Sequence, residues 1–273
     1  MKRSTITNLI LVLVLFAGLS LLLYPSFSDY WNSLHQSRAI TVYAENVAEL
    51  DNEEYQEILD AAVAYNQSLL LRENQFSLTN QQRNAYPEML NLAGNGIMGY
   101  IEIPNINCSL PIYHGIDEAV LQVAIGHIEW TSLPTGDEST HVVLSGHRGL
   151  PSAKLFSELD KLREGDLFMI RVLDELFTYE VDRILIVEPD EVDALLIEEG
   201  KTFCTLVTCT PYGINTHRML VRGHRVENPK EAATIRVTAD AIQVEPMIVA
   251  AIVAVPMLLM VLPVLMSDRR KRR

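Results

Sequence analysis

The sequence predicts a mainly β domain, a closed or nearly closed barrel with short helices, carried between two apolar segments. Three observations predict it. Short runs rich in β-branched and apolar residues recur from Met98 onward, with turn signals such as Pro134-Thr135-Gly136 and Pro211-Tyr212-Gly213 between them. The 20 residues Met247–Met266 are apolar throughout, and Leu9–Leu23 is almost wholly so. Hydrophobic residues make up 48% of the 273 and charged residues 21%, a globular balance.

Element by element, residues 41–72 are expected to be helical. Leu50, Ile58, Ala62, Tyr65 and Leu69 recur at near-helical spacing, with Glu53, Glu54, Glu57 and Asp60 opposite them. Residues 73–97 turn polar, contain Pro87, Gly94 and Gly96, and read as a flexible connector. Strands are expected at Met98–Ile103, His141–Ser145, Leu167–Leu173, Phe177–Val187, Phe203–Cys209 and Arg218–Val226. Short helices are expected near Asp117–Ala124 and Ala153–Lys161.

The ends fix an expected topology. Lys2 and Arg3 precede the first apolar segment, and Arg269–Arg273 is a basic run after the second. Basic flanks stay in the cytoplasm, so both termini are expected there, with the body outside the cell membrane. The first segment is read as a retained anchor. A cleaved signal peptide is the alternative, although no A-x-A pattern follows. The expected divisions are an anchor at 1–26, an extracellular helical and lid-like region at 27–97, a barrel at 98–230, a linker at 231–245, and a membrane helix with its basic tail at 246–273. Residues 27–245 carry 34 acidic and 15 basic side chains, a net charge of −19 that argues against a nucleic-acid partner.

The chemistry centres on a thiol. Of Cys108, Cys204 and Cys209, the last ends one expected strand, and Arg218 begins the next. If those strands form a hairpin, a nucleophile stands beside a fixed cation able to stabilise an oxyanion. His147, on the glycine-flanked loop of "SGHRG", is the candidate proton carrier. A cysteine in an apolar run is more often a small core residue, so spacing leaves both readings standing. Cys204 is five positions from Cys209 and faces the other way in a regular strand. His127 and His141 are expected to be structural. His114 and His217 flank the expected cleft, and no C-x-x-C spacing suggests zinc.

At these residues the chain resembles the sortases, and among them the class C, pilus-assembling type. The signature T-L-x-T-C followed by arginine reads Thr205-Leu206-Val207-Thr208-Cys209 and then Arg218, within "TCTPYGINTHRMLVRGHR". "SGHRGLPSAKLF", "MGYIEIPNINCSLPIYHGID" and "GHIEWTSLPTG" are similar to class C stretches. The resemblance implies a sortase-type barrel and a cysteine transpeptidase needing no metal or organic cofactor. Its substrates would be pilin or surface proteins bearing LPxTG-like signals, cleaved between Thr and Gly through a thioacyl on Cys209. His147 would move the protons, Arg218 would hold the oxyanion, and Thr208 and His217 would contact the substrate. The acceptor would be a lysine amine of another pilin. The alternatives are a housekeeping enzyme anchoring proteins to peptidoglycan, a plain thiol peptidase, and a non-catalytic assembly scaffold. Class C enzymes usually carry an Asp-Pro-aromatic lid. Here "RENQFSLTN" has no Asp-Pro, and Phe76 is the lid candidate.

Overall fold

Eight strands close on themselves in the order β1-β2-β3-β4-β7-β8-β6-β5. They are β1 Ile97–Ile103, β2 Cys108–His114, β3 Ile125–His127, β4 Thr140–Ser145, β5 Leu167–Val172, β6 Glu175–Val187, β7 Thr202–Thr210 and β8 His217–Val226. The computed structural model describes residues 3–229, so the expected linker and C-terminal membrane helix lie outside the described residues. Closure leaves no sheet edge and turns alternate side chains inward. The interior is filled by Met98, Ile101, Ile112, Ile125, Phe168 and Tyr179, among others.

All six expected strands are present, to within two residues at each end. The sequence reading missed β2 and β3. β2 contains Pro111, which removes a ladder donor and weakens the strand signal, while β3 is only three residues long. Antiparallel pairing with β1 and parallel pairing with β3 hold β2 in place.

Helices cover the N-terminal side. α1 runs from Arg3 to Glu49 as one helix, through the expected boundary at 26/27. α2, Asn52–Leu70, starts anew because Asp51 caps it: its carboxylate accepts from the Glu53 and Glu54 amides, and Glu54 accepts in return from the Asp51 amide. The expected single helix over 41–72 is therefore two, broken at a capping box. On the inner face of α2, Asn66 donates to the Leu133 carbonyl and accepts from the Leu133 amide. It thereby pairs with the β3–β4 loop as a strand would.

The expected flexible connector at 73–97 is instead packed. Thr79 caps α3, Asn80–Ala85, in a second capping box. Leu78, Tyr86 and Leu90 are buried in the main core. The polar residues that suggested a loop are engaged locally: Gln82 reaches Ser68, and Asn91 accepts from the Gly96 amide. Of the two expected short helices, the first exists as α4, Glu118–Leu121. Only a single 3-10 turn, Leu159–Lys161, forms in the second, because the chain there is held by contacts around His147 rather than by its own ladder.

Two histidines lie in the barrel wall, as expected of structural residues. His127 is fully buried, with Nε2 2.8 Å from the Ser132 carbonyl and Nδ1 2.9 Å from the Tyr86 hydroxyl. His141 bridges the Leu196 carbonyl and the Thr205 hydroxyl at 2.8 and 2.7 Å. Burial lowers both to about 4. Each is neutral when folded and takes up a proton more readily when unfolded, so stability present above pH ~6.5 is lost as pH falls toward ~4. Thermal melts between those values are expected to show the midpoint falling with pH. His141→Gln should flatten that slope.

Candidate active site

β7 is the strand on which the site is built. It pairs in parallel with β4 and antiparallel with β8. The β7–β8 register sets Cys209 directly opposite Arg218. The β4–β7 register ends with Ser145 opposite Val207, and the Gly146 amide continues it by donating to the Val207 carbonyl at 3.0 Å. His147 lies past the end of this register, on a loop held to β7 on either side of it: the Gly146 carbonyl accepts from Thr208, and Arg148 donates to the Thr210 hydroxyl. Cys209 and Arg218 thus form one row across neighbouring strands, which are spaced ~4.8 Å apart, with the His147 loop alongside its β7 end.

The row lies on the outer face of the barrel. Thr205, Val207 and Cys209 alternate with the inward Cys204 and Leu206. Beneath the row, Val143, Val207, Leu220 and Leu195 form a second apolar cluster, against which Ile128 and Trp130 pack. The site therefore stands at the edge of an apolar cluster that is itself buried. Cys209 is half-buried, whereas Cys108 and Cys204 are buried. Burial pushes the Cys108 thiol up to about 12 and raises Cys204 well above its usual range. Neither forms a reactive thiolate at neutral pH.

Arg218 is held by its own turn, with Nη1 3.1 Å from the His217 carbonyl and 3.3 Å from the Asn215 carbonyl. Among the described residues, no carboxylate lies within ion-pair reach of it. The guanidinium keeps donors free for an arriving acyl oxygen.

The loop after β4 is fixed from several sides. Gly146 admits no side chain: a Cβ there would stand 2.7 Å from the Phe156 ring and 2.9 Å from Ile125. The Phe156 amide donates to the His147 carbonyl at 3.1 Å. Gly149 has φ +77° and packs under the Tyr212 ring. Arg148, next to His147, turns inward and is only 9% exposed. It pairs with Asp160 at 2.5 Å, donates to the Thr210 hydroxyl at 3.4 Å and faces the Tyr212 ring. One buried cation therefore joins the histidine loop to the strand end that carries Cys209.

Two expected substrate contacts are placed otherwise. Thr208 is 2% exposed, and its hydroxyl donates to the Gly146 carbonyl at 2.8 Å. Its parity turns it inward, so it holds the histidine loop and is not available to a substrate. His217 is set opposite Thr210, on the face away from Cys209, and pairs with Glu188 at 3.2 Å. His114 is held between the Gly96 and Met89 carbonyls. Phe76 stands edge-on to Trp130, with centroids 5.3 Å apart. Its segment is tied down by Arg72 to the Trp130 carbonyl and by Gln75, which accepts from the Ile197 amide. The docked segment thus packs against Trp130.

Sequence reasoning missed Arg148 and Glu118. Arg148 stood within a quoted motif but carried no signal of burial. Glu118, at the start of α4, comes 3.8 Å from His147 Nε2, and its other oxygen is engaged by Gln122. Only the fold brings that short helix to the histidine.

Comparison with known proteins gives the family. A sortase-domain family model matches residues 101–226. Sortase C1 of Streptococcus agalactiae is 51% identical and superposes with a TM-score of 0.68, covering 70% of this chain and 100% of that one. Sortase C of Streptococcus pneumoniae, described with a pilin substrate specificity, is 41% identical with a TM-score of 0.64, covering 70% and 97%. Sortase D of Bacillus subtilis is 34% identical over 131 residues, 47% of this chain and 63% of that protein's length.

Two results are expected from this geometry. Iodoacetamide applied to the folded protein should label Cys209 alone, with Cys108 and Cys204 labelled only in denaturant, as peptide mapping would show. Gly146→Ala should cost ~1–3 kcal/mol of stability by overpacking against Phe156. It should also slow labelling of Cys209 by displacing the His147 loop.

Proposed function

Because the chain belongs to the sortase family, and within it to the class C, pilus-assembling type, we propose that it is a membrane-anchored transpeptidase joining pilin subunits. The set His147, Cys209 and Arg218 carries this reading. The Cys209 thiolate attacks the Thr carbonyl of an LPxTG-like signal, and a C–S bond forms as the carbonyl oxygen takes the negative charge. Arg218 donates to that oxygen. The C–N bond to Gly then breaks, and the leaving amine takes its proton from the His147 imidazolium. A lysine amine of a second pilin next attacks the thioester. His147 accepts its proton, an isopeptide bond forms, and the Cys209 thiolate is restored.

Arg148 and Thr208 are positioning residues, acting through the histidine loop. Phe76 and the docked segment around it take the place of a lid beside Trp130. The apolar stretch of α1, of mean hydropathy 2.3 over its most apolar window and not covered by the protein, supports anchoring.

The test uses the detergent-solubilised chain with an LPxTG peptide and a lysine-bearing peptide, read by mass spectrometry. A thioacyl adduct on Cys209 and an isopeptide product are expected, both abolished by Cys209→Ala. Arg218→Ala should slow acylation by ~10²-fold or more. Product persisting in Cys209→Ala would refute the assignment. Joining only to a peptidoglycan-type amine would move the chain to the cell-wall anchoring reading.

A further inference from the structure

α1 does two things that are seldom combined in one helix. Its N-terminal half is apolar and bare: Leu11, Leu13, Val14, Leu21 and Leu22 are all exposed. Its C-terminal half is fastened to the barrel. The Lys154 amide donates to Asp29 at 2.7 Å, Asn32 donates to the Ser152 carbonyl at 2.8 Å, and Gln36 donates to the Val123 carbonyl at 2.6 Å. Tyr43 closes the set, donating to the Met98 carbonyl and accepting from the Leu173 amide. The helix runs on from one half to the other through Pro25, so whatever holds the first half bears on the position of the barrel.

At 1.5 Å per residue, these fastenings stand at definite distances along the helix from Tyr24, the first residue past the apolar core Leu9–Leu23. Asp29 is ~8 Å along, Asn32 ~12 Å, Gln36 ~18 Å and Tyr43 ~28 Å. The headgroup layer on each side of a bilayer is ~5–8 Å thick. The fastenings nearest the membrane are therefore Lys154 and Ser152. Ser152 is five residues from His147, on the loop that carries it. The fastenings to Met98 on β1 and to Leu173, just past β5, are the most distant. Any tilt of α1 brings all of them nearer the bilayer.

The surface chemistry agrees. Tyr24 and Phe27 are exposed on α1 between the apolar core and the first fastening at Asp29, and Trp31 is exposed between Asp29 and Asn32, the place where aromatic residues sit in a headgroup layer. Among the described barrel residues, the exposed large apolar side chains are Ile116, Val123, Ile186, Tyr212 and Ile214. They gather around the active-site end. Tyr212 and Ile214 lie on the loop after Cys209, Ile186 pairs with Met219 beside Arg218, and Val123 follows α4, whose Glu118 meets His147.

We propose that this rim is a membrane-contacting surface. The phospholipid headgroup layer is its partner, and α1 is a strut that holds the Cys209 end of the barrel against the bilayer. The inference rests on reading Leu9–Leu23 as a retained span. A cut after Ser26 or Ser28 would fall within one unbroken helix, just before its first fastening at Asp29. A substrate processed there is one presented at the membrane surface.

Two measurements on the full chain in phosphatidylcholine vesicles test this. In a Trp31→Phe/Trp130→Phe background, Ile214→Trp is expected to be quenched by lipids with spin-labelled headgroups. Glu199→Trp, before the far end of β7, should be quenched several-fold less. Equal quenching, or more at position 199, overturns the proposal. The second measurement inserts eleven helix-forming residues between Ser26 and Phe27. That is close to three turns, which preserves the facing and raises the barrel by ~16 Å. An LPxTG peptide linked through its C-terminus to a phospholipid headgroup by a short tether should then react ~10-fold more slowly or worse. The same peptide free in solution should react unchanged. Equal rates on the tethered peptide with and without the insertion contradict the strut. If the unmodified chain processes neither peptide, the transpeptidase reading fails, and the quenching result alone decides the membrane surface.

Discussion

The structure depends on the two different ladders of β7. On one side it runs parallel to β4, on the other antiparallel to β8. Strand register is a discrete variable, since a slip of one residue sends every side chain to the opposite face. Here the hydrophobic pattern removes that freedom. Cys204 and Leu206 must enter the barrel core, and Val207 must join Val143 and Leu220 outside it. Once those are seated, Cys209 can face only outward from the barrel and Arg218 can stand only beside it.

The histidine is the difficult partner, because it lies beyond the end of β4, where no ladder reaches. Its loop is held by close contacts in place of regular pairing. Gly146 lets Phe156 and Ile125 approach, Thr208 grips the Gly146 carbonyl from inside, and Arg148 binds the loop to Thr210 and Asp160. A thiol and an imidazole on separate loops would lose entropy on meeting in each cycle, whereas a loop fixed at folding has already lost it. Burial of the other two thiols and of His127 and His141 leaves the reactive chemistry to the outer row.

Much of this was legible in the sequence, for identifiable reasons. Long amphipathic strands such as β6, β7 and β8 announce themselves through β-branched runs, and the hairpin between Cys209 and Arg218 follows from their spacing. β2 and β3 were hidden because one carries Pro111 and the other is three residues long. The segment at 73–97 looked like loose polar chain because its polar groups serve caps and turns, which composition does not distinguish from solvation. Thr208 was misjudged for a related reason. It belongs to a motif around the nucleophile, but strand parity turns it inward. Glu118 gave no signal, since its proximity to His147 arises from a crossover between β2 and β3.

The register that joins β7 to β8 can be tested directly by cross-linking. Arg218→Cys places a thiol opposite Cys209, where neighbouring Cα atoms of an antiparallel pair lie ~4.5–5.5 Å apart, within disulfide reach. Mild oxidation followed by peptide mapping should find a bridge between position 218 and Cys209. The control, Leu220→Cys, opposite Val207, should give no bridge to Cys209. A bridge from position 220 to Cys209, or none from position 218, would contradict the alignment on which the site is built.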